Sequence, residues 1–470
     1  MFGEGQPAIE RLRTYLRELP PAARALLISE LERALLRGDN PAGAEMVLTE
    51  LRRSVREGNA RSRRFGDPAR IFFRPLEPFL VDDFTEHSHR GRIARPVLEP
   101  MWLWLSNTLM PEEARAYSNE VEQALATGDT DRAENLARGF QDRAVSRMQQ
   151  ALQAFVKNEK ERRRLTVQLG TSRAVEDVQI VCGILRARDS LAMLGEQLPN
   201  HINSLSGAML DSVMALVDSP LGAKSELFPY SLVLVMGRLA APWQLIRLAI
   251  MAAGVDIANR VAETPYADTV SIVLDEVDRR VRELAGDLKS GRGVAVSALL
   301  KEIHDALRGL RTELDLPIES AWGRQLAAVR AEISSVLTAE IELMPGRVRR
   351  LMRPRPSKEI APGSVLDPDE VAETEALVGF AVTCRNYASE LAVNEVTQRT
   401  FGELRESLDT GTRTLLDALR NSGAGERPFR QSQVDAAVRF CGRVFGQEYA
   451  SLLAKAAEVA SHSERKAARA

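Results

Sequence analysis

Asp268-Thr-Val-Ser-Ile-Val-Leu-Asp-Glu-Val-Asp-Arg-Arg-Val-Arg-Glu-Leu-Ala-Gly-Asp-Leu-Lys289 is the stretch that decides the fold. Val270, Val273, Leu274, Val277, Val281, Leu284 and Leu288 step along it by threes and fours. That spacing gathers apolar side chains on one face of an α-helix and leaves acids and arginines on the other. Ser290-Gly-Arg-Gly293 turns the chain, and Val296, Leu299, Ile303, Leu307, Leu310 and Leu314 run back. Pro317 interrupts, and Trp322, Leu326, Val329, Ile333, Val336, Ile341 and Met344 form a third stripe, closed by Pro345-Gly346. Three stripes joined by short turns predict a three-helix bundle or rod over residues 263–352.

The same periodicity extends through most of the chain. Short helical hairpins are expected over residues 1–60, with Pro20-Pro21 and Gly38-Asp39 as their punctuation. Glu32-x-Ala-Leu-x-x-Gly-Asp39 recurs as Glu122-x-Ala-Leu-x-x-Gly-Asp129. Both resemble tetratricopeptide-type turns, although the ~34-residue period of that family is not followed. Pro111-Glu112-Glu113 opens a helix, and a long helix carries Leu136, Phe140, Ala144, Met148, Leu152 and Phe155 on one face. Two more helices are read in residues 173–217. Leu227–Val255 is the most apolar section, yet Pro229 and Pro242 cut it into pieces too short for the ~20 apolar residues that span a bilayer. It reads as the centre of a helical core over residues 112–262. Residues 353–369, rich in proline, read as a linker. A C-terminal region, 370–470, carries three helices, at 370–397, 399–419 and 431–460. No strand is expected, and the fold class is all-α, a multi-helical bundle or elongated array.

One segment departs from this pattern. Residues 61–111 hold six prolines, five phenylalanines and two of the four tryptophans. Prolines at this density forbid a long helix, and so many rings are costly to leave in water. The segment is expected to wrap across the helices as two stiff corners, at the echoed motifs Arg74-Pro-Leu-Glu-Pro and Arg95-Pro-Val-Leu-Glu-Pro. Phe72, Phe73, Phe79, Trp102 and Trp104 are either core or the anchors of a docking strip.

Composition narrows the function classes. The chain of 470 residues is 44% hydrophobic and 27% charged, with a net charge of −2, so general attraction to nucleic acid is not expected. Of its 63 basic residues eight are lysine and the rest arginine, a skew that fits a GC-rich coding genome. Cys182, Cys384 and Cys441 are too far apart for a disulfide framework or a zinc ribbon. Charged residues early in the N-terminus argue against a signal peptide, and a bacterial cytoplasm is the simplest location.

Chemistry-bearing motifs are few. Asp82, Asp83, Glu86, His87 and His89 form the one cluster with metal-ligand residue types, suited to zinc or manganese; an exposed polar turn is the plainer reading. His201, His304 and His462 stand alone. No phosphate-binding glycine loop and no nucleophile elbow occurs. Arg347, Arg349, Arg350, Arg353, Arg355 and Lys358 make a basic patch that ends a helix or meets an anionic surface. These features point first to a non-enzymatic scaffold or adaptor with an unidentified protein partner and no cofactor. A metal-dependent enzyme built on the Asp82 cluster is the alternative from a second class. A peripheral membrane protein using residues 227–255 and 347–358 is a third.

Overall fold

In a computed structural model, residues 67–82, 90–170, 173–218, 225–289 and 293–467 are described, with Leu27, Leu31 and Val47. The hairpins expected over residues 1–60 lie outside these, apart from those three positions, which are helical. The all-α expectation is met. Two compact units divide the chain, Met1–Asp275 and Glu276–Ala470.

The first unit is assembled around the Pro/aromatic segment. Helix α1 (Asp67–Phe72) leads into a 3-10 turn, Arg74–Phe79, which is the first of the echoed motifs. The second motif begins as another 3-10 turn, Arg95–Val97, and continues as α2 (Leu98–Trp104), with a π-helical turn at Leu105–Leu109. Both motifs are therefore tight helical corners, the form proline imposes where it fixes φ and removes a donor. A two-residue parallel pair, Leu80–Val81 with Ile93–Ala94, joins them, a small exception to the expected absence of strands. Glu77 of the first motif receives both Nη groups of Arg95 from the second, each at 3.2 Å.

Helices α3 (Pro111–Ala126) and α4 (Thr130–Lys157) form the hairpin that the Glu122–Asp129 motif foretold. Gly128 takes φ +75° at its turn, and Asp129 accepts the backbone N–H of Arg132 at 3.0 Å. Beyond it lie α5 (Glu159–Leu169), α6 (Ala174–Arg186), α7 (Arg188–Gln197) and α8 (Ala208–Asp218). Asn158 caps α5, which buries Leu165 and Leu169. One correction belongs here. Residues 173–217 hold three helices, not two, because the chain restarts at Arg188.

Helix α9 (Phe228–Met236) is buried along nearly its whole length. A 3-10 turn at Pro242–Leu245 and α10 (Ile246–Ala253) follow, so the apolar section is core, broken at its prolines as expected. The half-buried Arg238 and Arg247 donate to the carbonyls of Gly195 and Leu205, tying both guanidinium groups to the backbone of the same unit. Helix α11 (Ala258–Ala262) ends this run.

Helix α12 (Asp268–Lys289) buries Val270, Val273, Leu274, Val277, Val281 and Leu284, the stripe read from the sequence. Helix α13 (Gly293–Glu313) buries the second stripe. The third stripe is longer than expected: α14 (Ala321–Met352) runs through Pro345-Gly346. Proline there removes the hydrogen bond to the Ile341 carbonyl, but Met344, Pro345, Val348, Leu351 and Met352 are all buried, and that burial outweighs the lost bond. Helix α14 packs against α15 (Pro368–Asn386) and α16 (Asn394–Arg420), and α13 against α15. The last two helices are α17 (Arg427–Phe445) and α18 (Gln447–Ala467). Four C-terminal helices thus replace the expected three, since Gly446 at φ +94° divides the last one.

The segment read as a linker is irregular, and it is fastened down. Gln433 of α17 donates to the carbonyls of Leu351 and Arg353, at 3.0 and 2.9 Å. Ser432 accepts from the backbone of Leu366, and Gly363 bonds to Gly425. Ile360 and Leu366 join the core formed by the C-terminal helices and the end of α14.

Candidate functional site

The aromatic residues read as possible partner anchors are interior. Phe72, Phe73, Phe79 and Trp104 are buried, and Trp102 is half-buried. Phe72 lies at the centre of a ring cluster, 4.8 Å from Phe73, 5.5 Å from Trp102 and 5.4 Å from Phe140, while Tyr117 stacks on Phe140 at 4.5 Å. Phe79 meets Tyr230 edge-on at 5.2 Å. The Tyr117 hydroxyl donates to the Pro68 carbonyl at 2.9 Å, and burial pushes its pKa up. Packed in this way, these rings close the first unit's own core.

Of the five residues with metal-ligand character, Asp82 alone is described. Its carboxylate is exposed and bonds the Arg95 Nε at 2.8 Å. Asp83, Glu86, His87 and His89 lie outside the described residues. Among the described residues, no three carboxylate, imidazole or thiol groups converge as a metal site would require. His304 stacks on Tyr387 at 4.1 Å with Asp305 3.0 Å from its Nδ1, a local packing arrangement. The basic patch is largely engaged within its own unit: Arg347 pairs with Glu373, Arg350 with Glu370, and Arg355 lies over Phe429.

All three cysteines are buried. Burial pushes the Cys182 and Cys441 thiols up to about 12, and Cys384 higher still. Such thiols are neutral at physiological pH and poor nucleophiles.

What the surface does present is a fixed apolar tip between α10 and α11. Helix α10 buries Ile246, Leu248 and Ala249 and ends at Gly254, whose φ of +69° lets its N–H reach the carbonyls of Ile250 and Met251. Ile257 then takes extended backbone and caps α11, its carbonyl accepting from Arg260 and Val261. Between these two anchored ends, Met251-Ala-Ala-Gly-Val-Asp-Ile257 carries one charged residue. Met251 is 40% exposed, Val255 40% and Ile257 47%. Sequence reading missed the tip because it is continuous with the section that forms the core; its composition does not say which end faces water.

A second surface feature is an open cleft of about 650 Å³ along the α3–α4 hairpin. Glu120, Asp129, Asp131, Arg132 and Arg143 line it. Arg143 pairs with Glu113 at 3.3 Å and lies over the Phe140 ring. Both features suit contact with a polypeptide surface better than enclosure of a small molecule, which favours a concave, mostly apolar pocket.

No protein-family model matches the chain, and no curated protein and no solved structure matches it either. Among the described residues, no helix is long and apolar enough to cross a membrane.

Proposed function

We propose that this chain is a non-enzymatic helical scaffold or adaptor of a bacterial cytoplasm, binding a protein partner through the apolar tip at Met251–Ile257. The exposure of Met251, Val255 and Ile257 on one rigid turn carries this reading. Single exposed aliphatic residues are ordinary, but a contiguous exposed apolar patch marks an interaction surface. Rigidity helps, because a turn fixed by Gly254 and by the cap of α11 loses little conformational freedom on binding. The hairpin cleft, with charges of both signs, supplies the kind of polar surface that favours the correct partner and rejects others.

The test is co-purification of the tagged protein from its own bacterium at native abundance, beside the variant Met251→Ser/Val255→Ser/Ile257→Ser. These side chains lie outside the core, so the variant is expected to keep its helical circular dichroism. A partner retained by the parent and lost by the variant supports the proposal. A partner retained equally by both removes the tip as the binding site. If no partner accompanies the parent, the scaffold reading falls.

A further inference from the structure

The last helix has an exposed outward face. Helix α18 turns Ala450, Leu453, Ala457 and Ala460 inward, against α16 and α17. Glu448, Leu452, Lys455 and Val459 follow one another by four, three and four along the opposite side. Leu452 and Val459 are each 67% exposed, more than any other large aliphatic among the described residues except Val167. Among the described residues, Glu448 and Lys455 have no ion-pair partner.

We propose that this face is a self-association surface, on which α18 of a second copy packs antiparallel about a two-fold axis at Leu452. The order of charges selects that occupant and direction. With the axis at Leu452, Leu452 meets its own counterpart, and Glu448 falls opposite the partner's Lys455 on both sides of the axis. A parallel pair would instead set Glu448 on Glu448 and Lys455 on Lys455, which repel. The pattern is self-complementary, as a two-fold interface requires. A single helix face is small for a stable interface, so the association is weak, with a dissociation constant on the order of micromolar.

Sedimentation velocity of the full chain over a concentration series reads the equilibrium directly. The parent is expected to pass from monomer to dimer, and Leu452→Glu to remain monomeric at every concentration. Glu448→Lys alone and Lys455→Glu alone each turn two attractive pairs into two repulsive ones, weakening the dimer by roughly tenfold. Glu448→Lys with Lys455→Glu re-creates both pairs and is expected to restore it. All three substituted positions are exposed, and circular dichroism checks that each variant is folded. A parent that stays monomeric at hundreds of micromolar overturns the proposal, as does a dimer that survives Leu452→Glu. A double variant no stronger than the single ones overturns the antiparallel register.

Discussion

Replacing Gly323 by alanine sets two ordinary expectations against each other. In an exposed helix interior, alanine is favoured over glycine by about 1 kcal/mol. Gly323 lies in the first turn of α14, and a Cβ built there would sit 2.0 Å from the Pro317 carbonyl oxygen and 2.8 Å from its carbon. Those are backbone atoms, and they cannot swing aside as the end of a long side chain can. The Pro317 oxygen accepts from Ser320 N at 2.9 Å and Ser320 Oγ at 2.7 Å, and Ser320 Oγ accepts from Gly323 N at 2.9 Å. Moving the carbonyl by more than an ångström breaks the turn and the helix cap together, at about 1 kcal/mol for the cap and 1–2 for the other bonds. Less the propensity gain, Gly323→Ala should destabilise by about 1–2 kcal/mol, lowering the melting temperature of a unit this size by ~2–8 °C. Gly402→Ala is the control, since Gly402 is exposed within α16 and nothing lies within 4 Å of its added Cβ. That variant should gain ~0.5–1 kcal/mol and melt a few degrees higher. Thermal unfolding by circular dichroism compares the two. If Gly323→Ala melts at or above the parent, the argument from the Pro317 contact is wrong.

Other consequences of the structure are measured as easily. Tyr117→Phe deletes a buried hydrogen bond to Pro68 and orphans its carbonyl, and should cost about 1–3 kcal/mol in urea unfolding. The three buried thiols should be silent to a thiol reagent at pH 8 in the native protein and react in full once it is unfolded; rapid native labelling would contradict their burial. Because burial raises the pKa values of these thiols and of Tyr117, Tyr230 and Tyr266, the native state resists their ionisation while the unfolded chain does not. The stability these groups contribute is fully present below their unfolded values and is lost as pH rises from about 9 towards 12. Ala392 adopts φ +55° without being glycine, so Ala392→Val should destabilise by ~1–2 kcal/mol, whereas Ala392→Gly should be close to neutral or stabilising.

How far the fold could be read from the sequence depended on which force set each element. The stripes of α12 and α13 were legible because amphipathic burial alone decides them. Helix α5 was hidden, since only Leu165 and Leu169 anchor it and charges fill its first six positions. Pro345 misled because a proline's local cost is visible in the sequence, while the burial that overrides it comes from helices that begin more than twenty residues further on. The candidate site was less legible still. Ring density marked Phe72, Phe79 and Trp104 as unusual, but core and docking strip share that composition, and only packing separates them. The tip at Met251–Ile257 and the stripe at Leu452 are distinguished by what fails to cover them, a property of the whole fold.

The fastening of residues 353–366 to α17 also sets a timetable. The end of α14 contributes Met344, Val348, Leu351 and Met352 to a core whose other side chains extend to Ala460. On a ribosome, that apolar face is made roughly a hundred residues before its last partner, a wait of about 5–20 s at synthesis rates of ~5–20 residues per second. During that interval the end of α14 is a nascent helix with an uncovered hydrophobic side, the stage of this protein's life most open to chaperones and to misassembly between neighbouring chains.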